Sequence, residues 1–137
     1  MSVRIKMDWK GVDGFLRHLQ KTMPDAFESA LIDALQEAAY LGKERAKTLV
    51  PKDTGALQNS IRVERLAREA SKILYTGIRA GGYIRNPRTG RLVDYASHVE
   101  YGTSKQRPQP YLRPAQEYSM KRLPPIFWKQ LSRRVKL

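Results

Sequence analysis

The stretch from Asp25 to about Leu49 constrains the fold more than any other part of this 137-residue chain. Its apolar positions Phe27, Ala30, Leu31, Ala34, Leu35, Ala38, Leu41 and Leu49 recur mainly at intervals of three and four, with charged residues between them. That spacing stacks them along one side of a helix. Thr22-Met23-Pro24-Asp25 supplies the start, because proline is tolerated where an N–H would lack an intrahelical partner and an acid suits the first turn. Pro51 supplies the stop. The face is rich in alanine, so the helix can approach a sheet or another helix closely.

Other segments predict both. Val3, Ile5 and Met7 alternate with Arg4 and Lys6, the period-two pattern of a strand with one buried face. Gly11 and Gly14 loosen the chain before a short helical segment carrying Phe15, Leu16 and Leu19 on one side. Ile61 and Val63 alternate with Arg62 and Glu64, and Ile73, Tyr75 and Gly77 or Ile78 make a further β-like run. Arg68 to Ser71 would turn between these two strands as an antiparallel pair. Between the long helix and this pair lies PKDTGALQNSI, a turn in which Asp53 can bond nearby amides and Gly55 tolerates positive φ.

Further on, Tyr95 to Tyr101 reads as a strand with Tyr95, Ser97, Val99 and Tyr101 on one face. His98 falls on the other, where a lone histidine is structural or solvated rather than catalytic. Ala115 to Leu123 predicts a helix stopped by Pro124-Pro125, and Ile126, Phe127, Leu131 and Val135 then fall at helical spacing. The predicted fold class is α+β. A long N-terminal amphipathic helix packs on a small antiparallel β-sheet, with an arm at about 80–94 and a C-terminal helical tail at about 115–137, all in one domain spanning 1–137.

Chemistry is sparse. The chain has no cysteine and only two histidines, which excludes thiolate nucleophiles, disulfides and the usual zinc ligand sets. Ser60, His98 and Asp53 make a triad on paper, yet no strained GxSxG elbow is present, and neither GxxxxGK[ST] nor GxGxxG occurs. The expectation is a chain that is not an enzyme and that uses no cofactor and no metal. The N-terminus lacks a signal-like apolar run and no segment predicts a membrane span, so the protein is expected to be soluble, in the cytoplasm at synthesis and away from membranes.

What the sequence does carry is positive charge. Its formal net charge is +13; residues 1–50 hold 8 Lys/Arg against 7 Asp/Glu, whereas residues 51–137 hold 18 against 6. Such an excess attracts phosphate backbones, anionic lipid or acidic protein faces, or is simply a solvated surface. Residues 80–94, AGGYIRNPRTGRLVD, form a loop or β-arm with Arg85, Arg88 and Arg91 around its tip. Tyr101 to Ala115, YGTSKQRPQPYLRPA, packs three prolines, three basic residues and two tyrosines into fifteen positions. It can be neither a regular helix nor a central strand. Arginine with tyrosine suits a nucleic-acid surface and a protein interface alike.

Two blocks resemble a known family. AKTLVPKDTGALQNSI (Ala46 to Ile61) and YASHVEYGTSKQRPQPYLRPA (Tyr95 to Ala115) are similar to the tail-component family of long-tailed bacteriophages typified by gene product ten of the Hong Kong 97 phage. The matching positions are Pro51, Thr54, Gly55, Leu57, Ser60 and Ile61, then Tyr95, Ala96, Val99, Glu100, Tyr101, Gly102 and Thr103, then Gln109 to Ala115. The resemblance implies a structural virion protein of the neck, acting in head–tail joining or tail completion, present in the virion and in the host cytoplasm during assembly. It also implies a homo-oligomeric ring, often a hexamer, around the DNA channel. Expected partners are further copies of itself, connector or head-closure proteins, tail terminator or tail-tube proteins, and packaged DNA.

Prolines suit an assembly contact, since a stiff segment loses little conformational entropy on binding. Thr103 to Ala115 is therefore expected at the contact between subunits, through Arg107, Tyr111, Leu112 and Arg113, with Tyr111 and Leu112 as anchors. The alternative is that those two pack on their own core. The arm bearing Arg85, Arg88 and Arg91 is expected to face a neighbouring ring or the DNA channel. A basic nucleic-acid-binding module is the competing function.

Overall fold

The computed structural model describes residues 3–8, 14–52, 55–68, 74–82, 85–91 and 95–135. Their order is β1 (Val3–Asp8), α1 (Gly14–Thr22), α2 (Pro24–Leu49), α3 (Ala56–Ser60), β2 (Arg62–Arg68), β3 (Leu74–Ala80), α4 (Ala96–Tyr101) and α5 (Leu112–Val135). The fold is α+β, as the periodicities predict.

The long helix is α2, with Pro24 in its first turn and its end at Val50 before Pro51. Phe27, Ala30, Leu31, Ala34, Leu35, Ala38, Ala39, Gly42 and Ala46 form its buried stripe. The small residues in the second half matter. They let α5 lie so close that a Cβ on Gly42 would come within 2.1 Å of Ser119 Oγ and 2.7 Å of Ile78 Cδ1. Ser119 in turn donates to the Ala38 carbonyl at 2.8 Å, a polar tie between the two helices. Nearer the start of α2, Phe27 meets Phe127 edge to face at 5.0 Å, a geometry favoured by the ring quadrupoles. Arg134 and Asp33 pair across the same two helices.

Helix α5 corrects one expectation. Pro124 and Pro125 do not stop it; a single helix runs from Leu112 to Val135 through both. Leu112, Ala115, Ser119, Leu123, Phe127 and Leu131 repeat at three and four and are all buried. Burying Leu112, Leu123, Phe127 and Leu131 stabilises the pair by about 6–12 kcal/mol in all, at about 1.5–3 each, which offsets the roughly 3 kcal/mol cost of each of the two interior prolines. Both prolines lie on the exposed face. Water can therefore reach the backbone whose hydrogen bonds they forgo.

The sheet is three-stranded and antiparallel, ordered β1-β3-β2. Ile5 lies opposite Ile78, and Ile78 opposite Val63, in the register of the three strands. Ile78 and Ala80, two residues apart on one face of β3, are fully buried. Arg62 lies opposite Arg79 on the other face, and Arg79 pairs there with Glu64. Of the turn expected at Arg68 to Ser71, Arg68 closes β2 and the rest lies outside the described residues.

Two apolar clusters result. One gathers Leu19, Phe27, Leu31, Leu35, Leu123, Phe127 and Leu131 between α1, α2 and α5. The other joins the second half of α2 to the sheet, and contains Val50, Leu57, Ile61, Ile78, Ala96, Val99, Tyr111 and Leu112. The second cluster draws in both sequence blocks singled out above, although they are separated by the whole β2–β3 region.

Candidate functional site

Residues 96–101 form the helix α4, preceded by Tyr95 as its N-cap, in place of the strand expected over 95–101. Ala96, Val99 and Glu100 are buried, at spacings of three and four. The apparent two-residue alternation of Tyr95, Ser97, Val99 and Tyr101 is coincidental, since the buried set follows the helical period. Tyr101 stands 59% exposed on this short helix and His98 is exposed as well.

Gly102 terminates α4 at φ 76°, ψ 176°, donating its N–H to the His98 carbonyl. Only glycine occupies that region without strain. A Cβ there would also strike the Pro108 nitrogen at 2.7 Å. Thr103 and Gln106 then close a tight turn through reciprocal backbone bonds of 2.9 and 3.4 Å, and the Gln109 N–H returns to the Val99 carbonyl at 2.8 Å. Residues 103–110, here termed the strap, are exposed throughout yet held at both ends.

Glu100 fastens the far end. Its Oε2 accepts the N–H of Tyr111 at 2.7 Å and of Leu112 at 2.9 Å, and its Oε1 accepts that of Arg113 at 2.8 Å. These are the amides that open α5, where a helix lacks internal acceptors and its dipole favours negative charge. Glu100 is only 3% exposed. A carboxylate so buried is tolerated because charge-assisted bonds replace its water. The acid thus caps a helix from eleven residues upstream, an arrangement no local capping motif would reveal.

Tyr111 and Leu112 are both fully buried. That corrects their expected role as exposed anchors and favours the alternative of packing on their own core. The Tyr111 hydroxyl donates to the Ala96 carbonyl at 3.2 Å. Burial foremost, then the negative charge of Glu100, pushes its phenol well above the ordinary tyrosine range. Arg107 and Arg113, by contrast, project outward.

The first block supplies the opposite wall. Gly55 stands at φ 81° before α3, the positive φ expected of it. Ser60 Oγ donates to the Leu57 carbonyl at 2.6 Å and accepts the Gly81 N–H at 2.8 Å. Arg62 bonds the carbonyls of Ser60 and Gly81. The hydroxyl of Ser60 is therefore a buried brace between α3 and the end of β3. Asp53 and Thr54 lie outside the described residues.

Where the walls meet is a cleft of about 320 Å³ lined by Pro51, Gly55, Leu57, Tyr95, His98, Val99, Thr103, Gln106 and Gln109. Sequence reasoning named most of these residues but not their convergence. The arm is compact at its tip: the Asn86 N–H reaches the Arg91 carbonyl and the Gly90 N–H reaches that of Asn86, each at 2.7 Å. Asn86 Oδ1 accepts the Arg88 N–H at 2.9 Å. Arg85, Arg88 and Arg91 are exposed around this turn, and Arg85 also donates to the Gly90 carbonyl. Residues 83–84 and 92–94 of the arm lie outside the described residues. Among the described residues no group of three or more His, Cys, Asp or Glu could hold a metal ion, and no helix is long and apolar enough to cross a membrane.

The sequence profile of the bacteriophage HK97-gp10 tail-component family matches residues 13–102. The chain belongs to that family. No curated protein and no solved structure matches it. The matched span runs from the start of α1 to Gly102 and holds Pro51, Gly55, Ser60 and Glu100; it ends just before the strap. Membership makes this a phage tail component, a structural protein of the virion.

Proposed function

We propose that this HK97-gp10-like chain is a subunit of a homo-oligomeric ring, six-fold in the manner expected of its relatives, that joins head to tail or completes the tail at the neck of the phage. Its partners are further copies of itself, the connector or head-closure protein and the tail terminator or tail-tube protein. The reading extends the family assignment with one observation: an exposed strap is fixed by Glu100 at one end and Gly102 at the other, and it carries Lys105 and Arg107 outward with Arg113 just beyond. A solvent-facing segment held this rigidly loses little entropy on docking. A ring subunit needs two different surfaces, because head-to-tail contacts close only when each meets its complement on a neighbour. The strap is a surface for a neck protein of different sequence, and the arginine-tipped arm a surface for an adjacent ring or the DNA channel, so both stand apart from the contacts that close the ring. The role is structural rather than enzymatic.

Light scattering and negative-stain microscopy of the protein, alone and mixed with its phage's connector, test the proposal. The expected result is a ring, or a stoichiometric complex with the connector, that R107E/R113E weakens at least tenfold while the melting temperature stays unchanged. A chain that remains monomeric under both conditions, and that antibody labelling fails to find at the virion neck, refutes it.

A nucleic-acid contact is the second reading, favoured by the three arginines around the arm tip. If Arg85, Arg88 and Arg91 each neutralise a phosphate, replacing all three should flatten the dependence of log affinity on log salt by about 2.7. Binding to duplex DNA that is unaltered by the replacement rules out this contact.

A further inference from the structure

We propose that the cleft between the two motif blocks, together with the adjoining strap, docks an acidic segment of a different protein that inserts one aromatic or aliphatic side chain. The proposal rests on the assembly role above for the partner being another phage protein, and on the cleft itself for the chemistry.

Shape comes first. Leu57 and Val99 are buried in the lining and Tyr95 is half-buried there, while His98, Thr103, Gln106 and Gln109 supply a polar rim. Its volume of about 320 Å³ lies at the lower end of ligand pockets, which run from about 300 to 1,000 Å³. It has room for one large side chain together with part of the backbone that carries it, since about 150 Å³ already holds a benzene ring. Thr103 and Gln106 also line a shallow groove along residues 103–108, so the cleft continues onto the strap. A chain seated with one side chain in the cleft would pass Lys105 and Arg107.

Charge decides the occupant. Between Tyr95 and Ala115 the basic residues are Lys105, Arg107 and Arg113, and the one acid is Glu100. All three bases are exposed, whereas Glu100 is buried with both oxygens engaged by backbone N–H groups. The segment therefore presents +3 outward, and no carboxylate lies among the described residues of the lining. A second copy of a chain whose net charge is +13 would meet repulsion here. An acidic partner would meet attraction, and like-charge rejection gives the surface its selectivity.

The test uses the full chain with labelled methyl groups and three probes: a random copolymer of glutamate and tyrosine, polyglutamate, and a short DNA duplex. The copolymer is expected to shift the Leu57 and Val99 methyl resonances and to bind at least tenfold more tightly than polyglutamate. K105E/R107E is expected to weaken that binding at least tenfold while leaving the methyl spectrum of the free protein unchanged. Equal binding of polyglutamate, or copolymer binding without methyl shifts, overturns the cleft as the anchor site. The same shifts produced by DNA overturn a protein partner, and shifts produced by raising the protein concentration alone assign the cleft to a second copy. Ring formation is read separately by light scattering, so failure of the neck-ring role and failure of this site are distinguishable.

Discussion

Replacing Glu100 by glutamine isolates the contribution of the carboxylate, because shape and burial are nearly preserved. In the native arrangement Oε2 serves two amides and Oε1 serves a third. A glutamine that sets its carbonyl oxygen at the Oε2 position keeps the bonds from Tyr111 and Leu112 in weaker, neutral form. Its NH2 group then faces the Arg113 N–H, donor against donor. A hydrogen bond to a charged group contributes about 1.5–3 kcal/mol and a neutral one about 1, so one lost and two weakened bonds sum to roughly 3–5 kcal/mol. The neutral amide is easier to bury than a carboxylate, which offsets part of this. The expected loss is about 2–3 kcal/mol. Glu100→Ala strands all three amides and should lose about 3–5 kcal/mol.

Against a typical domain stability of about 5–15 kcal/mol, the glutamine variant stays folded and can be measured. Urea unfolding followed by circular dichroism should show a lower midpoint with an unchanged slope, since the surface exposed on unfolding is the same. The melting temperature should fall by about 8–12 °C, at roughly 4 °C per kcal/mol for a chain of this length. Hydrogen exchange at residues 111–113 should accelerate. A glutamine variant within about 0.5 kcal/mol of the wild type, with those amides still protected, would refute the capping role.

Four further outcomes follow from the geometry. Gly102→Ala places a side chain at a backbone angle reserved for glycine and against Pro108 and Gln106, and should cost at least about 2 kcal/mol by urea unfolding. Gly42→Ala, which stabilises an exposed helix by about 1 kcal/mol, should here destabilise by about 1–3 kcal/mol because Ser119 and Ile78 leave no room. Pro124→Ala should raise stability by about 1–2 kcal/mol, restoring a helix hydrogen bond on an exposed face; calorimetry showing a lower melting temperature would contradict the reading of α5. Tyr111→Phe should lose about 1 kcal/mol at pH 8 through the bond to Ala96. The native phenol titrates above its unfolded value of about 10, so its contribution is complete below that pH and is lost as pH rises beyond it. The gap between the two melting curves should therefore close between about pH 10 and 11.

The elements legible in the sequence are those whose periodicity is set by one buried face. Helix α2 carries that pattern in its own residues, and strands form where alternation predicts them, β3 burying Thr76, Ile78 and Ala80. The misreadings arose where tertiary contacts overrode local rules. Pro124 and Pro125 break a helix locally, yet α5 continues because Leu123, Phe127 and Leu131 are buried on both sides of them. Tyr95 to Tyr101 alternates like a strand, yet Ala96, Val99 and Glu100 are the residues that face inward. Stiffness in the segment after Tyr101 was legible from its prolines, whereas the fixed turn at Gly102 was not. The inward packing of Tyr111 and Leu112 was not, because a tyrosine beside arginines has the composition of an interface as much as of a core. One signal did exist: Glu100 is the lone acid among the 21 residues from Tyr95 to Ala115, which are otherwise basic or neutral.

That lone acid explains how a family motif and a strap outside the matched span can act as one surface. Glu100 sits in the last turn of α4, inside the span that matches the tail-component family, and the amides it binds lie nine and more residues past that span's end. Losing its bonds would free the strap at one end while leaving Gly102 and the Thr103–Gln106 turn to hold the other. Lys105 and Arg107 would then sample many positions beside the cleft instead of one. An interface built on that surface should weaken more than the loss of any single contact would suggest, because the ordering of the strap would have to be supplied during binding. The carboxylate contributes to assembly in this way without touching a partner, through the order it imposes on residues that do.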